Sequence, residues 1–305
     1  MTTVEQQVTE PGVYNLPAAT YHADPVPGGS LSHSGARKLL APSCPALFQQ
    51  WVSEGGRPTA TFDLGHAAHA IVLGVGAPIV VVDAEDWRTN RAKAERVEAH
   101  AAGATPLLRA DYDQVRVMAD ALLAHPWASL LLQPGSGLPE RSLFWPDEDT
   151  GVWRRAMLDW LPFDTGSRLI IPDYKTTVSA HPGNLSSVLY KYGYYQQAAW
   201  YLDGVRALNL SPHDDPAFTF IFQEKTPPYL VTVVQPHPDA VRWGQVVNRK
   251  AIDVYRRCKA TGQWPGYSDD KVVSVTIPSW ADYQLNAGYR RGDYDIDENE
   301  VEIPW

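Results

Sequence analysis

Cysteine is nearly missing from this chain, with two in 305 residues. Cys44 and Cys258 form no C-x-x-C pair and lie near no histidine at zinc spacing, which excludes a zinc site built on thiolates. Buried, reduced thiols are expected, with Cys44, in PSCPALF, at a helix start. Long apolar runs are missing as well: none reaches the roughly 20 residues of a membrane span. The N-terminus lacks the basic stretch followed by an apolar one that marks a secretory leader. A cytoplasmic protein with no membrane partner is expected. Internal repeats and low-complexity tracts are absent too.

Positive charge is in short supply, since the net charge is −9. Nucleic-acid binding draws on Lys and Arg to displace counterions, so this balance argues on its face against such a partner. Its distribution weakens the argument. The C-terminal GDYDIDENEVEIPW holds six acids and no base and reads as a solvated tail. Elsewhere WRTNRAKAER places Arg88, Arg91, Lys93 and Arg96 on an expected helix, which reads equally as a solvated face and as a wall along a DNA path.

What the chain does have is apolar material, 44% of its residues with 11 Trp, enough for one large core. Apolar spacing predicts helices near 32–41, 44–53, 62–74, 90–101, 111–124, 193–208 and 237–260, with Ser32 and Asp111 as N-caps. Strands are predicted near 141–146, 152–161, 168–175, 217–224 and 229–235, with Pro227 and Pro228 turning the last pair. This order gives an α/β fold: helices first, then a three-stranded meander, a helix and two more strands. Residues 1–30 read as an extended arm, 31–260 as the main domain, and 261–305 as a strap and acidic tail, the strap packed by Trp264, Tyr267 and Trp280.

The chemistry concentrates in LIIPDYKTT, residues 169–177, where an apolar strand ends on a carboxylate and a lysine two positions apart. Alternation puts Asp173 and Lys175 on one face. A carboxylate is a hard oxygen ligand for Mg²⁺ or Mn²⁺, and a nearby ammonium can orient water or neutralise developing phosphate charge. Upstream, VWRRAMLDWL carries Asp159 near its end, and a turn over 162–167 would lay the two strands antiparallel and bring both acids to one site.

With these residues in place, the chain resembles the PD-(D/E)xK nuclease superfamily, and within it the RecE-like phage and prophage exonucleases (exodeoxyribonuclease VIII type). The resemblance runs from about Leu31 to Trp280 through LSHSGARKLL, FDLGHAAHAIVLG, ERSLFWPDEDTGVWRRAMLDW, IIPDYKTT, YYQQAAWYLDG and FQEKTPPYLVTVV, in that order. It implies a nuclease core, a mixed central sheet flanked by helices with a helical N-terminal part. It matches His69 to the family's metal-side histidine and Glu140 to the acid that opens the core. Asp159 and Asp173 match the metal-binding carboxylates, Lys175 the motif lysine, and Gln197 with Tyr201 one turn on the residues of the following helix. Family members commonly carry an arginine two residues before the first motif aspartate. Here that position is Met157, with Arg154 and Arg155 upstream as the remaining candidates for phosphate contact.

The resemblance further implies Mg²⁺, or Mn²⁺, as cofactor and 5′→3′ resection of linear double-stranded DNA from its ends, leaving 3′ tails for phage recombination. It also implies a ring-shaped homo-oligomer and a RecT-like single-strand annealing protein as partner, in the host cytoplasm for a phage-encoded chain. The iron–sulfur cluster of some relatives needs four cysteines, which this chain does not have. Two alternatives stay open: an endonuclease or single-strand nuclease on the same core, and a non-catalytic scaffold that binds DNA ends.

Overall fold

The strand GLPERSLFWP buries Leu143, Phe144 and Trp145, its partner WRRAMLDWLP buries Ala156, Leu158 and Trp160, and the two pair in antiparallel register from Gly137↔Pro162 to Pro146↔Trp153. They form the spine of a computed structural model that describes residues 7–55, 63–213, 215–269 and 271–294. The elements run β1 (Gly12–Tyr14), α1 (Ala18–His22), β2 (Leu31–Ser32), α2 (His33–Lys38), α3 (Pro45–Ser53), α4 (Asp63–Leu73), β3 (Ile79–Val82) and α5 (Asn90–Ala101). After them come β4 (Thr105–Leu108), α6 (Arg109–Leu123), α7 (Pro126–Leu131), β5 (Gly137–Pro146), β6 (Trp153–Pro162) and β7 (Ile170–Thr177). The chain continues through α8 (Pro182–Lys191), α9 (Tyr194–Ala207), β8 (Ala217–Glu224), β9 (Val231–Val234) and α10 (Pro238–Thr261).

One sheet has the order β1-β5-β6-β2, a second β7-β8-β9, and β3 with β4 makes a small parallel pair. The mixed α/β architecture agrees with the expected fold class, but the meander needs correction. Strand β7 pairs with β8 in parallel, Asp173 beside Phe220 and Lys175 beside Phe222, and no ladder joins it to β6 among the described residues. A parallel pair requires a crossover, and α8 and α9 supply it. Strand β8 is buried along nearly its whole length, as a strand covered on both faces must be, which explains its run AFTFIF, apolar but for Thr219.

Helices α9 and α10 cover this core. Gly244 lets them approach closely: a Cβ there would lie 2.4 Å from the Tyr195 carbonyl oxygen. Asn248 Nδ2 donates to the Gln196 carbonyl at 3.0 Å across the same interface. The main cluster gathers Trp145, Trp200, Phe218, Phe220 and Phe222. A second cluster packs α4 and α6 against Trp160, Tyr174 and Ile221, at the end of the sheets where the motif residues lie.

Ser32 caps α2, accepting from the Gly35 amide at 3.2 Å, and buried Cys44 stands before α3. Asp111 lies within the first turn of α6, whose N-cap is Leu108, so its carboxylate faces the helix N-terminus without capping it. Residues 7–30, read as an extended arm, add β1 to the sheet edge and pack Val8, Leu16, Tyr21 and Val26 around Phe144. Trp264 stacks on Phe48 at 5.5 Å. Residues 265–305 form a separate unit containing α11 (Ser279–Arg291). The acidic tail beyond 294 lies outside the described residues. Among the described residues, no helix is long and apolar enough to cross a membrane.

Candidate active site

Asp173 and Lys175 point to the same side of β7, and the Lys175 ammonium sits 2.5 Å from Asp173 Oδ2. Beside them β6 delivers Asp159. Its Oδ2 accepts the Tyr174 backbone N–H at 2.8 Å, which ties the two sheets together where no ladder does. Its Oδ1 faces His69 Nε2 of α4 at 3.1 Å, and the other ring nitrogen of His69 lies 3.6 Å from Glu140 Oε1. From α9, Gln197 Nε2 donates to Asp173 Oδ1 at 2.7 Å. His69, Glu140, Asp159, Asp173, Lys175 and Gln197 thus meet at one place from five elements.

Glu140 lies inside β5, where the register sets it opposite Asp159: Pro139 faces Trp160 and Arg141 faces Leu158. Its φ of 47° is left-handed, an uncommon conformation for a residue with a Cβ and a form of strain that concentrates at functional sites.

Burial and like charge set the electrostatics. Burial first, then the neighbouring Asp159 carboxylate, push Asp173 up to about 7 despite Lys175. Burial acts the same way on Asp159, but His69 and Lys175 outweigh it and hold that carboxyl below its ordinary range. Burial opposes the charge of Lys175 and of His69; the flanking carboxylates win in both cases and raise both groups. The site therefore sets two unlike carboxyls side by side, Asp159 shifted toward its ionised form and Asp173 shifted upward by burial and by Asp159.

The chemistry of the donor set suits a hard divalent cation: two carboxylates on neighbouring strands, a third acid and an imidazole beside them. Asp173 Oδ2 is buried and receives no well-aligned hydrogen bond. Among the described residues no three such side chains converge in metal-binding geometry as they stand. The reason is local: Asp173 is turned to Lys175 and Gln197, and Asp159 to His69 and the Tyr174 amide. The two basic groups occupy the carboxylates that a cation would take.

Tyr201, one turn beyond Gln197, is half-buried, packs edge-on against Phe218 at 5.6 Å and interacts with Gln197 through its hydroxyl. It supports the glutamine. Arg154 and Arg155 do not fit the phosphate-contact expectation. Arg154 is buried between the Trp145 and Trp200 rings and pairs with Asp203 at 3.0 Å. Arg155 is buried against Asp24 at 2.5 Å and the Ser30 carbonyl at 2.9 Å. Consecutive on β6, the two point to opposite faces, and each is neutralised by an acid there, Asp203 for Arg154 and Asp24 for Arg155. Arg91 is exposed on α5 and paired with Glu95 at 2.7 Å, with no contact to the site.

Sequence reasoning missed Tyr194, whose ring has the Lys175 ammonium 5.6 Å from its centre. Its position three residues before Gln197 on a helix face was the available signal. It also missed the cleft of about 1220 Å³ that opens from His69 and Glu140 along Asp24, Trp51, Arg155 and Lys259.

No curated protein matches this sequence. Among solved structures, a Eubacterium rectale protein provisionally assigned as an exonuclease superposes with a TM-score of 0.55 at 13% identity, covering 89% of this chain and 96% of its own. A second structure, SSO0001, is 16% identical over 68% of this chain and 87% of its own, with a TM-score of 0.30. The family model described as PDDEXK-like domain of unknown function (DUF3799) matches residues 32–272. That match spans well over half of the chain, and this chain belongs to the PDDEXK-like DUF3799 family.

Proposed function

We propose that this protein is a metal-dependent exodeoxyribonuclease that resects linear double-stranded DNA from 5′ ends and leaves 3′ single-stranded tails. The observation that carries the reading is the meeting of Asp159, Asp173 and Lys175 where β6 and β7 lie side by side, with Gln197 fixed on Asp173. The assignment given to the Eubacterium rectale structure is in keeping with it.

Asp159 and Asp173 would hold Mg²⁺ or Mn²⁺, with Glu140 and His69 flanking. When bound, such a cation polarises a phosphoryl oxygen and lowers the pKa of its water. The chain's own residues do the rest. Gln197 and the Tyr174 amide each hold one oxygen of the two carboxylates, Asp173 Oδ1 and Asp159 Oδ2, and so limit their rotation. With a cation held there, Lys175 would give up Asp173 Oδ2, and its ammonium, still within reach, would orient the attacking water and offset charge that develops on the scissile phosphate. His69, already turned to Asp159, keeps that carboxylate ionised.

Phage recombination, a RecT-like annealing partner, a ring-shaped oligomer and a host cytoplasmic setting belong to the same proposal. The test is digestion of linear duplex labelled at either end, beside a covalently closed circle. Metal-dependent loss of the 5′ label with the circle spared supports an exonuclease of that polarity. Cutting of the circle moves the assignment to an endonuclease, and no cutting at all to a DNA-end scaffold.

A further inference from the structure

Two stretches of this acidic chain contain no acid at all: residues 25–53 and residues 174–202. In a protein with 35 Asp and Glu, such gaps mark where negative charge is left out. The fold brings them together. The Arg37 side chain of α2 lies across the corner between α8 and α9, where its Nη2 donates to the Lys191 carbonyl at 3.3 Å. Gly193 makes the corner with a φ of 69°, and a Cβ there would stand 2.5 Å from Arg37 Nε. Burial first, then the positive charges of Arg37 and Lys175, push the neighbouring His33 down to about 3.

On this corner stands a cluster of tyrosines. Tyr190 and Tyr195 stack with ring centres 6.1 Å apart and planes 14° from parallel, and Tyr192 stacks on Tyr194 at 5.7 Å and 26°. Tyr190 is 77% exposed and Tyr192 47%. The Lys191 ammonium lies 5.6 Å from the centre of the Tyr192 ring. The innermost ring, Tyr194, is the one in contact with Lys175, so the platform runs from solvent to the site. Two exposed rings, each stacked on a ring beneath it, with Lys191 and Arg37 beside them and no acid in their own stretch of chain, match the surface that unpaired bases and their phosphates require.

We propose that Tyr190 and Tyr192, with Lys191 and Arg37, form a platform on which unpaired bases of a nucleic-acid strand stack as the strand enters the active site. This rests on the nuclease reading and adds the grip on the substrate. Charge complementarity favours a polyanion over a protein partner.

The test is fluorescence anisotropy in chelator, with a labelled oligothymidylate and a labelled blunt duplex. The proteins are the full chain, the double variant Tyr190→Ala/Tyr192→Ala, and Lys191→Glu. Both replaced tyrosines are largely exposed, so the melting temperature should hold and a change in affinity can be read directly. The double variant is expected to lose about tenfold or more of its affinity for the single strand, and much less for the duplex. Lys191→Glu should weaken both. Unaltered single-strand affinity in the double variant, or equal losses on strand and duplex, overturns the platform. If the unaltered protein still cleaves DNA in that case, the nuclease reading stands without it. If the unaltered protein neither binds nor cleaves DNA, both readings fall.

Discussion

Gln197 Nε2 donates to Asp173 Oδ1 at 2.7 Å, and by this bond a helix from the crossover fixes a carboxylate on the strand that precedes it. The neighbouring oxygen of the same carboxylate faces Lys175, so both sides of Asp173 are set before any ligand arrives. Replacing Gln197 by Ala should leave the acid in place but free to rotate. Cleavage or divalent-cation affinity should fall about 10- to 100-fold, as for other residues that orient a ligand, while the fold persists. A cation titration followed by single-turnover cleavage measures both. Equal rates in variant and parent would remove Gln197 from the account.

Arg154 is placed to hold the core rather than a substrate. Its guanidinium lies 4.1 Å from the centre of the Trp200 ring and pairs with Asp203, while Asp147 is shared with Arg249 at 2.6 Å. Arg154→Ala should cost about 3 kcal/mol, because it opens a gap between two tryptophans and strips a partner from a partly buried acid. Chemical denaturation gives the number. A variant of normal stability with weakened DNA binding would return Arg154 to the substrate.

His33 gives the protein an acid sensitivity of known sign. Its Nε2 lies 3.3 Å from the Gly193 carbonyl, and its folded pKa of about 3 lies below the ordinary 6.5. Between those values the unfolded chain binds a proton that the folded chain refuses, so stability rises with pH across that window and is lost as acid is added. The denaturation midpoint should fall from pH 7 toward pH 4, and His33→Gln, which keeps an N–H for Gly193, should flatten that fall. Identical profiles would show that His33 is freely protonated in the fold.

Much of this was legible along the chain because its signals are local. Helix α10 was expected at 237–260 and spans Pro238–Thr261, since its apolar period is long and a glycine follows it. The alternation in IIPDYKTT set Asp173 and Lys175 on one face, and the structure has them in contact. What failed was partner choice. Period two tells which face a residue takes and not which strand lies beside it, so β7 was given to β6 when its hydrogen bonds go to β8.

Charge misled for a related reason. Arg154 and Arg155 were candidates for phosphate because they are basic and close to the motif. Their partners, Asp203 and Asp24, are remote in sequence and become neighbours only in the fold. Helix α8 escaped notice because PGNLSSVLYK opens on Pro and Gly and its apolar spacing is confined to Leu185, Val188 and Leu189. The tyrosines at its end had no visible purpose until the fold set them beside Arg37 and Lys175.

The central claim is tested most directly by cleavage of linear duplex DNA over a titration of Mg²⁺ and Mn²⁺, with the unaltered chain and with Asp173→Asn. That substitution keeps the size of a buried side chain and removes its charge, so melting in chelator checks that the fold survives. Cleavage should depend on the added cation and on Asp173, together with a cation-induced rise in melting temperature that the variant lacks. Cleavage that persists in Asp173→Asn, or an unaltered chain that cleaves no DNA with either cation, would contradict it.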